Sequence, residues 1–126
     1  MSSSSPRRGI ILFAHGSRDP LWSQPMEAVA TRTRQLDPQA LVRCAYLELT
    51  APDLPACASE LVAAGVQSIT IVPMFLGVGK HAREDLPRLV ADLQTSFPGI
   101  TWHLQGAIGE DDRVTDLLAR IALSAA

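Results

Sequence analysis

Apolar and polar positions alternate along the chain in blocks, with short continuous apolar bursts separated by longer stretches of helical periodicity. Gly9–Ala14 (GIILFA) is an unbroken apolar run rich in β-formers, the pattern of a strand buried on both faces. Leu21–Leu36 places Trp22, Met26, Val29 and Ala30 at helical spacing, and Leu41–Leu47 (LVRCAYL) predicts a second strand. Asp53 is placed to cap a helix containing Leu54, Cys57, Ala58, Leu61 and Val62, with Gly65 just past its end. Ser68–Phe75 (SITIVPMF) predicts a third strand, with Pro73 near its end where a missing ladder donor matters least. Leu76–Glu84 reads as a glycine-containing loop. Asp85 then caps a helix with Pro87 in its first turn and Leu89, Val90, Leu93 and Phe97 on one face. Ile100–Gln105 is a short fourth strand, and Val114, Leu117, Leu118 and Ile121 form the stripe of a last helix. Four strand–helix alternations predict an α/β fold: a parallel four-stranded sheet with helices on both faces. Right-handed crossovers make the flavodoxin-like order 2-1-3-4 the simplest topology.

The 126 residues fit one domain, read as residues 9–126 behind a flexible leader at 1–8. A compact domain of this mass exposes roughly 6,500 Å² of roughly 19,600 Å² in the unfolded chain, enough burial without disulfides or a structural metal. Eleven basic against thirteen acidic residues give a net charge of −2, which disfavours a duplex nucleic-acid binder. The two cysteines, Cys44 and Cys57, form no C-x-x-C pair and indicate neither a disulfide framework nor a thiolate zinc site. No apolar run approaches a membrane span, and the six-residue run after MSSSSPRR is short for a signal peptide. A cytoplasmic protein is the expectation.

In open α/β sheets ligands sit beyond the carboxyl ends of the strands, near the point where strand order reverses. His15, Gly16, Ser17 and Arg18 follow the first strand, Glu48 follows the second, and the Gly77/Gly79 loop and His81 follow the third. With strands 2 and 3 flanking strand 1, His15, Glu48 and His81 converge on one rim. Two imidazoles and a carboxylate suit a divalent metal such as Co²⁺, Ni²⁺, Fe²⁺ or Zn²⁺, and they equally suit general acid/base work. Arg18, Lys80 and Arg83 flank the histidines and can hold substrate carboxylates. His103 reads as a filler of the fourth strand, Trp22 as a packing residue of the first helix, and both cysteines as small buried apolar groups. The chain has no G-x-x-x-x-G-K-[ST], G-x-G-x-x-G or G-x-S-x-G segment, so Ser17 is a weak nucleophile candidate.

The opening GIILFAHGSRDP and the later PMFLGVGKHAREDLP resemble the two signature segments of the class II tetrapyrrole chelatases of the CbiX/SirB type. The YLEL segment around Glu48 resembles that family's intervening acidic position. The resemblance implies insertion of Co²⁺, Fe²⁺ or Ni²⁺ into a sirohydrochlorin-type macrocycle, for cobalamin or sirohaem synthesis, by a chain with no permanently bound cofactor. It implies that His15 and His81 handle the metal and that Glu48 assists. It also implies the short, homodimeric form, because the longer chelatases hold two such halves in one chain. Two rival readings are a non-catalytic tetrapyrrole or metal carrier and a small hydrolase or isomerase using His15 as base.

Overall fold

The computed structural model describes residues 7–124, apart from the side chain of His81. Residues 1–6 of the expected leader lie outside the described residues. Arg8 does not belong to a leader: it opens the first strand and pairs with Asp37 at 2.8 Å. The strands are β1 (Arg8–Ala14), β2 (Leu41–Tyr46), β3 (Ser68–Pro73) and β4 (Thr101–Leu104). The helices are α1 (Gln24–Leu36), α2 (Leu54–Ala63), α3 (Lys80–Ser96) and α4 (Asp112–Ser124), with a 3-10 turn at Ile108–Glu110 before the last.

All strand pairs are parallel and run in the order β2-β1-β3-β4, as the periodicity predicts. Alternate side chains of the sheet feed two cores. Ile11, Phe13, Ile69 and Ile71 pack under α2 and α3, while Leu12, Ala14, Val42 and Val72 pack on the side of α1. Two helix ends follow their local signals. Asp53 accepts a hydrogen bond from the Ala56 amide at 2.9 Å, satisfying an orphan donor of α2. At its other end Gly65 takes φ +93°, while its amide reaches Val62 O and the Val66 amide reaches Leu61 O. That is the paired closure a left-handed C′ glycine permits.

Two boundaries differ from expectation. Trp22 is not on α1, which begins only at Gln24. Asp19 holds residues 19–22 in a turn by accepting from the Leu21 amide, and Pro25 at the second helical position fits where no amide partner exists. Trp22 instead stands edge-on to Tyr46, ring centres 6.0 Å apart. The expected loop at residues 76–84 ends early as well. Gly79 is the N-cap and α3 starts at Lys80, which puts Pro87 inside the helix rather than in its first turn. Pro87 is exposed, on the solvent side of the helix.

Cys44 and Cys57 are free and buried, and desolvation pushes both thiols up to about 12. A raised thiol value means the thiolate is scarce in the folded protein at neutral pH. Maleimide at pH 8 is therefore expected to label neither cysteine in the native protein and both in guanidinium; rapid native labelling would contradict this burial.

The chain exposes 8189 Å², more than the roughly 6,500 Å² of a compact domain of this mass. β4 and α4, with no buried residue in either, are part of the excess. Helices cover both faces of the sheet as expected, α1 on one and α2 and α3 on the other, while the stripe of the last helix is present but not packed on the sheet.

Candidate functional site

The carboxyl ends of β2, β1 and β3 lie side by side, and the ladder between them continues past the strands. The Leu47 amide donates to Ala14 O at 2.9 Å and the Glu48 amide to His15 O at 3.0 Å, while the Met74 amide donates to Phe13 O at 2.8 Å. His15 and Glu48 are therefore fixed as neighbours by backbone alone. The next residue makes that closeness possible. Gly16 has φ +100°, and a Cβ there would collide with the Glu48 carbonyl. One step further, the Ser17 amide donates to Thr50 Oγ1 at 3.0 Å and Thr50 Oγ1 donates to Ser17 O at 2.7 Å, tying the two rim loops together.

His15 is exposed, with its ring centre 4.5 Å from that of the buried Phe75, which packs edge-on against Phe13 at 6.2 Å. One face of the imidazole is thus held against the core and the other is left to solvent. Glu48 is exposed beside it, followed by Leu49 at φ +66°, a conformation a branched side chain rarely adopts. His81 occupies the second position of α3, in the turn that follows the end of β3; its side chain lies outside the described residues. The backbone accordingly brings positions 15 and 48 together, and position 81 stands in the first turn of the helix that follows β3. Among the described residues no three His, Cys, Asp or Glu side chains cluster to hold a metal ion.

Arg18, two residues past Gly16, and Lys80 and Arg83, in the first turn of α3, are exposed, and none has an ion pair among the described residues. Cations without a local counter-charge suit an acidic ligand. Beside the end of β2, a hollow of about 230 Å³ is lined by Asp53 together with Phe13, Tyr46, Leu47, Leu54, Pro55 and Leu89. At the end of β4 a second hollow of about 310 Å³ is ringed by Glu110, Asp111 and Arg113. Sequence reasoning missed those three charged groups, together with Thr50 and Phe75, the last two because they meet Ser17 and His15 only through tertiary contact. His103 lies on β4 with an exposed side chain, away from these strand ends.

Known proteins share this fold. The CbiX family model matches residues 9–125. A sirohydrochlorin cobaltochelatase of Saccharolobus solfataricus is 34% identical over 118 residues, covering 89% of this chain and 91% of that one. A crystal structure of a CbiX protein assigned to cobalamin (vitamin B12) biosynthesis, from Marinobacter aquaeolei VT8, superposes with a TM-score of 0.79 at 33% identity, covering 91% of this chain and 93% of that one. The sirohydrochlorin chelatase SirB of Bacillus subtilis subspecies spizizenii, solved in complex with cobalt, gives 0.78 at 25% identity, covering 94% of this chain but 51% of that one. Against three further curated relatives, two sirohydrochlorin cobaltochelatases and a sirohydrochlorin ferrochelatase, the chain spans 62%, 57% and 49% of their length. The matched span covers nearly the whole fold, from β1 through α4, and the chain belongs to the CbiX family.

Proposed function

We propose that the protein inserts a divalent metal, Co²⁺ first and Fe²⁺ or Ni²⁺ as alternatives, into a sirohydrochlorin-type tetrapyrrole. The observation that carries this reading is the backbone bond joining His15 to Glu48 on the rim of a CbiX-family fold, with His81 in the first turn of the neighbouring α3. Relatives named for both cobalt and iron insertion support the substrate class and leave the metal open between them.

Metallation removes two pyrrole N–H protons and strips water from the incoming ion. A neutral imidazole performs either task, but not both through the same lone pair. In this reading His15, His81 and Glu48 hold and desolvate the metal, and one histidine takes a departing proton. Arg18, Lys80 and Arg83 seat the peripheral carboxylates of the macrocycle by charge-assisted bonds. Two copies of the chain, rims facing, supply the two walls that a flat macrocycle needs. The unpaired Cys44 and Cys57 suit the reducing cytoplasm.

The test is an anaerobic absorbance time course with sirohydrochlorin and Co²⁺ against a protein-free control. Acceleration through many turnovers supports insertion. A spectral shift that saturates at stoichiometric protein would make the protein a carrier, and no change in either would overturn the substrate class. Protons compete with the metal for imidazole lone pairs, so the rate is expected to fall below about pH 6. A rate flat down to pH 5 would count against histidine ligation.

A further inference from the structure

Glu48, Leu49 and Thr50 form a tight turn. The Thr50 amide donates to the Glu48 carbonyl at 2.8 Å, and Leu49 between them has φ +66°. A bond from the third residue back to the first, around a centre of positive φ, marks the rarer and strained form of the γ-turn. Glycine adopts such a backbone freely and asparagine tolerates it, whereas leucine is strained there. The neighbouring main chain holds the turn in place. The Glu48 amide is bonded to His15 O, the Glu48 carbonyl lies over Gly16, and Thr50 Oγ1 exchanges two hydrogen bonds with the Ser17 backbone. Residues 15, 16 and 17 thus fix both ends of it.

The fold gains little from leucine at this position. Leu49 is 56% exposed and belongs to neither of the two cores. Strained residues that persist because their surroundings over-determine them gather at ligand sites. What position 49 offers is an apolar side chain held rigidly beside Glu48 and His15. A macrocycle of the sirohydrochlorin type carries acidic groups at its edge and an apolar face on its ring. In the reading above, Arg18, Lys80 and Arg83 take the edge, while His15, His81 and Glu48 take the metal. The face of the ring is left without a partner.

We propose that Leu49 binds the substrate, its side chain packing on the face of the macrocycle, and that the strained turn is kept for this contact. The assignment rests on the chelatase reading above. Aliphatic carbons against a flat ring contribute by burial and dispersion and do not compete for the metal. Covering the exposed half of a leucine side chain strengthens binding on the order of 10-fold.

Steady-state metallation with sirohydrochlorin and Co²⁺, read beside thermal melts, tests the contact on the wild type, Leu49→Asn, Leu49→Gly and Leu49→Met. The Asn and Gly variants relieve the strain and remove the apolar group, while Met keeps an apolar group. Leu49→Asn and Leu49→Gly are expected to melt no lower than the wild type. Both should raise the KM for sirohydrochlorin on the order of 10-fold and keep kcat within about three-fold. The KM for Co²⁺ should not move, because leucine offers no ligand. Leu49→Met is expected to stay within about three-fold of the wild type throughout. Activity lost in step with melting temperature would make Leu49 a structural residue. A raised KM for Co²⁺ would trace its effect to Glu48, and a variant lighter in solution than the wild type would assign it to contact between copies. Any of these, or an unchanged KM for sirohydrochlorin, would overturn the proposal while wild-type turnover upholds the chelatase reading. A wild type that neither turns over nor shifts the spectrum would overturn both.

Discussion

Replacing His15 with alanine is expected to slow metallation on the order of 100-fold or more while leaving the fold intact. The two halves of that expectation have separate physical grounds. The ring is exposed and touches the core only through one face against Phe75, so its loss opens no cavity, and the stability change should stay within about 1 kcal/mol. Its chemistry is harder to replace, because a lost ligand or proton acceptor typically costs two or more powers of ten in rate. Steady-state rates with sirohydrochlorin and Co²⁺, read alongside thermal melts, separate the effects. A variant that melts like the wild type and turns over equally fast would remove His15 from the site. Glu48→Gln should be milder in the same assay, since the amide keeps the shape and one acceptor oxygen.

The second large effect is expected one residue away and has the opposite signature. Gly16→Ala should both destabilise the protein and slow it. The new methyl group must occupy a left-handed backbone at φ +100° and meet the Glu48 carbonyl. Left-handed strain alone costs about 1–2 kcal/mol, and relief of the collision requires the two rim loops to part. A loss of about 2 kcal/mol or more is expected, read as a melting point lower by roughly 10 °C. Parting the loops separates His15 from Glu48, so the rate per folded molecule should drop too. Gly77→Ala is the control: a Cβ there meets nothing within 4 Å, and stability should change by less than about 0.5 kcal/mol. Equal melting points for the two variants would contradict the close approach at Gly16.

What was legible in the sequence was whatever a few adjacent residues decide. Strand runs, the Asp53 cap and the Gly65 closure depend on local backbone chemistry, and the sheet order follows from winding rules once the alternation is read. The start of α3 was misread because a proline signals the first turn of a helix as readily as an exposed interior position. Only the solvent around Pro87 distinguishes them. Thr50 bridging Ser17, Phe75 beneath His15 and the left-handed Leu49 were illegible, because no local pattern names a partner dozens of residues away. The last helix marks the same boundary: periodicity gives its stripe, while what covers the stripe is not written within the helix.

The bond between the His15 carbonyl and the Glu48 amide makes the presentation of the two positions a property of the main chain. Main-chain groups are common to every residue but proline, so the spacing at these two positions does not depend on which side chains occupy them. The side chains at 15 and 48 can therefore be exchanged without rebuilding the scaffold that presents them. Gly16 is different, because its lack of a Cβ is what lets the two rim segments approach.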